Sequence, residues 1–400
     1  MNPTLNMRQS QALRGMAILG IILHNYCHFL KFAVKENEYT FTAEKPRQLL
    51  EKLLSLDADL FIHILSFFGH YGVPVFLFIS GYGLVKKYEK RREEREERRE
   101  NSTEQPKGEN SSNHTPHSSS LTPRIFLWRH FKKLFRLMIW GYLLFVAVYF
   151  LRNTNGAEIY SWNRVLAQLT MTVNFLFEHP DRIIKPGPYW FFGLMMQLYA
   201  LYIFVIHRWR SPWLFVALVL VCWLIQVMAP TPDALNYIRY NFIGGVMPFV
   251  AGIVLSRYED AKVRGCENTS WACKVITPLH SHLSPLHSHL STPTFHLSLL
   301  LISAAAVFAG SFWFHSWLWV PLFIVMGAVA TVRLMPEWLL KPCAWVGSIS
   351  AALFVMHPLL REVIIPHYRH TDIYYGIAVY LLASMAASML LQWLTSKPKS

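Results

Sequence analysis

The chain has 400 residues, of which 53% are hydrophobic, 15% aromatic and only 16% charged. Soluble domains carry about 25% charged residues, so this composition, with a mean hydropathy of +0.26, excludes an ordinary soluble protein. The net charge of +14 is largely explained by basic loops beside membrane spans, and the near-balanced charge of Glu89–Glu100 argues against a nucleic-acid partner.

Apolar runs recur at Phe126–Leu151, Tyr189–Ile206, Pro212–Met228, Phe242–Leu255, Phe295–Phe314, Trp317–Val332, Ala344–His357 and Tyr374–Leu394. Most approach the roughly 20 residues that cross a bilayer as helix. They are too long for barrel strands of about ten alternating residues. The expected fold is all-α: a polytopic membrane helix bundle of about ten transmembrane helices plus a partial helix, forming a single domain over residues 1–400. Five cysteines (Cys27, Cys222, Cys266, Cys273, Cys343) show neither metal spacing nor a disulfide framework.

The first predicted helix contains LRGMAILGIILHNYCHFL, Leu13–Leu30. No small-residue cleavage site follows it, so it reads as retained. Arg14 sits at one membrane face, where a basic side chain also serves as an anchor. His24 lies ten residues on, roughly 15 Å deeper and near the midplane. An ionisable group there is a functional candidate by default; a neutral histidine bonded between helices is the plainer reading. His28, one turn further, reads as structural.

The second helix, about Phe61–Val85, ends GVPVFLFISGYGLVKK. Ser80, Gly81 and Gly83 permit close approach of another helix or of a ligand. A charged, low-complexity loop at residues 88–122 follows, and its basic content marks it as cytoplasmic. The third helix opens PRIFLWRHFKKLFRLMIW. Arg129, Lys132, Lys133 and Arg136 fall on one helical stripe reaching about two turns into the span. That is more than anchoring needs, and clustered Arg and Lys donors suit a phosphate-bearing ligand.

The polar segment Asn163–Phe177 is the expected partial helix. If it does not span, every later basic cluster is cytoplasmic: ten spans with both termini inside, in a plasma or inner cell membrane. Eleven spans is the alternative. Tyr189 and Trp190 open the next helix and read as an aromatic belt. A second loop, residues 258–294, repeats PLHSHLS and offers His280, His282, His287 and His289; with no Cys or carboxylate to complete a site, it reads as a duplicated insert and no metal is expected. In VGSISAALFVMHPLLREVI, His357 is a second deep histidine, and Pro358 is expected to kink the helix there.

In order, LRGMAILGIILH, VFLFISGYGL, the basic start of the third helix, YWFFGLMMQLYALY, PFVAGIVL and VGSISAALFVMHP resemble acyltransferase family 3, the integral-membrane O-acyltransferases. The resemblance covers nearly the whole chain outside the two polar inserts. Two positions depart from the family's pattern. His24 follows Arg14 by ten residues where the family commonly has eleven, a turn of about 100°. Lys133 stands at one position of the paired-arginine motif, keeping the charge and losing a bidentate contact.

The resemblance implies an enzyme of the EC 2.3.1 type. It would move an acyl group, usually acetyl, from cytoplasmic acetyl-CoA to a hydroxyl of a surface polysaccharide or a lipid-linked sugar, within membrane lipid. On that reading His24 is catalytic. Arg14, Lys133 and Arg136, assisted by Arg129 and Lys132, hold the coenzyme A phosphates. Ser80, Trp190 and His357 are substrate or packing positions. The rival is a transporter or flippase of a glycan or small anion; no inverted repeat of the first-helix pattern supports it.

Overall fold

The computed structural model describes residues 5–89, 122–151, 160–183, 185–209, 211–264, 292–368 and 372–395. Among them the chain is helical and has no strand. Helix α1, Met7–His28, opens with a capping box in which Asn6 and Gln9 satisfy each other's backbone N–H groups. A polar loop leads to the short α2, Glu44–Leu54, and then to α3, Leu60–Glu89. Next come α4, Pro123–Leu151, and two short pieces, α5, Trp162–Leu169, and α6, Val173–Leu176. These last two occupy the segment expected to form a partial helix.

The second half of the chain adds α7, Gly187–Ile206, α8, Pro212–Val227, α9, Pro232–Tyr240, and α10, Phe242–Arg264. It closes with α11, Pro293–Gly310, α12, Val320–Leu334, α13, Glu337–Ser348, α14, Ser350–Tyr368, and α15, Ile373–Thr395. By length and composition α3, α4, α7, α10, α11 and α15 can each cross a membrane. Helices α13 and α14 qualify as a pair bent by 71°, while α8 and α12 are apolar but shorter. Helix α1, 22 residues long, falls outside this set; its histidines and asparagine lower its hydropathy. The loop histidines at 280, 282, 287 and 289 lie outside the described residues.

The site is positioned by how α1 and α3 pack. Gly15 of α1 lies against the Cys343 carbonyl of α13, and Gly347 of α13 against the Gln11 carbonyl of α1. Neither position has room for a Cβ, so the two backbones meet directly. Gly81 of α3 and Gly252 of α10 make the same reciprocal contact with the Phe249 and Phe78 carbonyls. Gly81 thus serves helix packing. Ser80 bonds the Phe76 carbonyl of its own helix, and Gly83 faces open space.

The end of α3 is tied down by buried ion pairs. Arg257 grips Glu89 through two bonds of 2.8 Å. Glu259 accepts from Tyr82 at 2.6 Å and from Arg333 at 3.2 Å. Removing one partner of such a pair strands a buried charge.

The expected kink at Pro358 is not where the chain turns. Helix α14 runs on through Pro358, and the bend falls at Ile349. There the hydroxyls of Ser348 and Ser350 take the Trp345 and Gly347 carbonyls, at 2.6 and 2.8 Å. Side-chain oxygens that capture carbonyls of the preceding turn loosen the helical ladder.

Candidate functional site

Helix α1 carries a different chemistry at each end. Near its start Arg14 is exposed. It lies within electrostatic range of Tyr199. Lys133 of α4 lies within range of both Arg14 and Lys87. His130 joins the group: its Nε2 is 3.2 Å from the Tyr88 hydroxyl, and its ring packs 4.2 Å from that of Tyr199. Among the described residues no carboxylate pairs with Arg14, Lys87 or Lys133. Three unpaired cations beside aromatic rings form a ready seat for a polyanion.

The remaining members of the expected stripe point elsewhere. Arg136 donates to the Thr395 carbonyl at the end of α15. Lys132 lies over the Trp128 ring, 5.4 Å from its centroid. Arg129 is exposed. Only Lys133 of the four is brought to Arg14.

Ten residues further along α1, His24 is buried in a polar cluster. Its Nδ1 lies 2.8 Å from the Ser66 carbonyl of α3. A carbonyl only accepts, so Nδ1 carries the proton and Nε2 is left basic. That Nε2 lies 3.7 Å from Oε1 of Glu36. The other oxygen of Glu36 accepts from His28 Nδ1 at 3.1 Å. His70 sets its ring 5.6 Å from that of His24, tilted by 56°, and donates to the Phe67 carbonyl.

Gly69 makes this approach possible. A Cβ there would stand 2.5 Å from that of His24. Glu36 lies in the polar loop after α1, only 2% exposed. Burial alone would push its carboxyl up; His24, the hydrogen bond from His28, and His70 outweigh burial and hold it well below the usual carboxylate range.

The donor atoms of His24, His28 and Glu36 lie within 4.8 Å of one another, close enough to ligate one cation. The same arrangement is also a base backed by a carboxylate, with the tautomer fixed by a backbone oxygen.

Trp190 and Tyr189 do not form a lipid-facing belt. Tyr189 is fully buried and donates to the Val355 carbonyl at 3.1 Å. Trp190, 6% exposed, stands edge-on to Tyr39 and Tyr240. His357 is buried in α14, where its Nδ1 donates to the Leu353 carbonyl at 2.9 Å and its ring neighbours Phe354. No hydrogen bond or ring contact joins it to His24.

Sequence reasoning singled out Arg14, His24 and Lys133 but passed over Glu36, His70, Lys87 and His130. For Glu36 the available signal was its place in KENE, directly after the helix that carries His24.

Comparison with protein-family models matches residues 8–397 to an acyltransferase domain. No curated protein and no solved structure matches the chain. The match spans almost the whole length and takes in both Arg14 and His24. The molecule is therefore a multi-pass membrane acyltransferase, a member of acyltransferase family 3.

Proposed function

We propose that the chain carries an acetyl group from acetyl-CoA, bound at the basic end of α1, to a hydroxyl of a surface polysaccharide or lipid-linked glycan presented at the other end. The observation that carries this reading is the placement of Arg14 and His24 on one helix. Lys133 lies within electrostatic range of both Arg14 and Lys87, and His24 faces Glu36. Ten residues of helix separate them by about 15 Å. A phosphate-anchored donor with a flexible arm can span that gap and bring its thioester to the histidine.

Arg14, Lys87 and Lys133 hold the donor phosphates, with Arg136, Arg129 and Lys132 as an outer basic fringe. The fringe raises the local concentration of anionic donor. Nε2 of His24 takes the proton of the acceptor hydroxyl as its oxygen attacks the thioester carbonyl. The C–S bond breaks, and the same proton passes to the departing thiolate. Glu36 stabilises the imidazolium in between, and no metal is required. The basic end faces the cytoplasm of a plasma or inner cell membrane, with both termini on that side.

The test is donor binding by the purified chain in detergent, with coenzyme A and acetyl-CoA titrated against wild type and Lys133→Gln. Salt-sensitive binding that weakens in the variant supports the reading. Absence of binding by a folded protein would return a transporter to first place.

A further inference from the structure

A half-open cavity lies beside His70, whose ring is 5.6 Å from that of His24, and Glu38, Tyr39, His70, Tyr71, Trp190 and Arg239 line it. Its walls are aromatic. Tyr39 stacks on Tyr240 with ring centroids 4.0 Å apart, and Trp190 meets Tyr39 edge-on at 5.5 Å. Such a surface suits the apolar face of a ring, with a few polar groups left to fix its orientation.

The polar groups are unusual. Arg239 lies over the Trp317 ring, 4.1 Å from its centroid, and donates through Nη1 to the Gln226 side chain at 2.9 Å. Its Nε has no hydrogen-bond partner. Among the described residues no carboxylate lies within ion-pair distance of this guanidinium. Burial lowers its pKa to about 10, so it remains charged at neutral pH. A cation taken out of water without a counter-ion is costly to keep and is held in place here by neighbours that do not neutralise it.

Glu38 does not fill that role. It forms no ion pair with Arg239, and burial, with Glu36 and Asp181 adding to it, holds its carboxyl well above the usual range.

We propose that this cavity holds one ring of the acceptor, seated against Trp190 and Tyr39, and that Arg239 selects a ring bearing a carboxylate or a phosphate. The fork of the guanidinium matches either group bidentately. The proposal rests on the reading of the chain as a glycan acyltransferase, because it places the acceptor beside His70 and His24. It adds that the acceptor is acidic at the ring being recognised and that Arg239, Trp190 and Tyr39 set the preference.

The experiment uses the purified full-length chain in detergent and saturation-transfer NMR, with glucuronic acid, glucose 6-phosphate and glucose as probes. Coenzyme A is titrated in parallel. Saturation transfer to an acidic probe and not to glucose is expected, with affinity falling at least tenfold in Arg239→Gln and largely kept in Arg239→Lys. A signal confined to glucuronic acid assigns the carboxylate; one confined to glucose 6-phosphate assigns the phosphate.

Equal signals from glucose and the acidic probes would overturn the proposal. So would acidic-probe binding indifferent to Arg239→Gln, or no sugar binding by a chain that binds coenzyme A. Should Arg239→Gln fail to fold, the wild-type preference among the three probes and the Arg239→Lys result decide. Acidic-sugar binding without any coenzyme A binding would leave the cavity assignment standing and instead sink the acyl-transfer reading.

Discussion

At the scale of single residues, the proposed reaction turns on two atoms: His24 Nε2 and the Glu36 oxygen 3.7 Å from it. General-base catalysis contributes about 10²–10⁴-fold. His24→Ala is therefore expected to cut transfer by at least 10²-fold with normal expression, measured as radiolabelled acetyl transfer in membranes. Near-normal transfer would remove His24 from the mechanism. Glu36 also makes a prediction about pH. Its carboxyl is held below the unfolded value, which is about 4.3. The stability it contributes is then fully present above that value and is lost only as pH falls through the lower, folded one. Thermal melts should show the Tm gap between wild type and Glu36→Gln failing to shrink from pH 7 to pH 5. A gap that closes within that window would contradict a lowered carboxyl. At the other end of the helix, Lys133→Gln should raise the half-saturating donor concentration several-fold, and Arg136→Gln by less, because Arg136 is engaged by the Thr395 carbonyl. Arg14 and His24 were legible in the sequence because an ionisable group inside an apolar run has few innocent explanations. Glu36 and Arg239 were not. Each sits in polar sequence where a charge is unremarkable, and its meaning comes from neighbours supplied by other helices.

At the scale of elements, the helices were legible and their junctions were not. Apolar periodicity located the helices; it could not show that α14 passes straight through Pro358 while two serine hydroxyls bend the chain at Ile349. Nor could it separate glycines that seat a neighbouring backbone from the one at position 83, which meets nothing. Gly69 is the informative case, since it backs directly onto His24. Gly69→Ala should force α1 and α3 apart by on the order of 1 Å, because its Cβ would otherwise stand 2.5 Å from that of His24 and 2.6 Å from the Gly20 carbonyl oxygen. Overpacking typically costs about 1–3 kcal/mol, so the protein should still fold and bind donor. The rate of transfer should fall more than ten-fold, because a catalytic group displaced by about 1 Å can cost 10²-fold. Steady-state kinetics would show the loss in kcat with donor KM little changed. An equal rise in donor KM would indicate that the whole of α1 had moved.

At the scale of the whole molecule, the bundle separates a basic end from an end where a carboxylate, three histidines and an aromatic-lined cavity gather. If the histidine–carboxylate cluster works as a base and not as a metal centre, treatment with EDTA followed by gel filtration should leave transfer unchanged. A loss restored by one divalent cation would reassign His24, His28 and Glu36 as ligands. The composition was enough to call for a membrane bundle, but the division between its two ends arises from how distant helices are brought together. One consequence follows from α1 being a single unbroken helix. The interval between the proposed donor anchor and the proposed base is written in its covalent chain and hydrogen-bond ladder, like marks on a ruler, rather than in the fit of separate parts. Thermal breathing of the bundle will change how often the two substrates arrive. It will barely change where they meet.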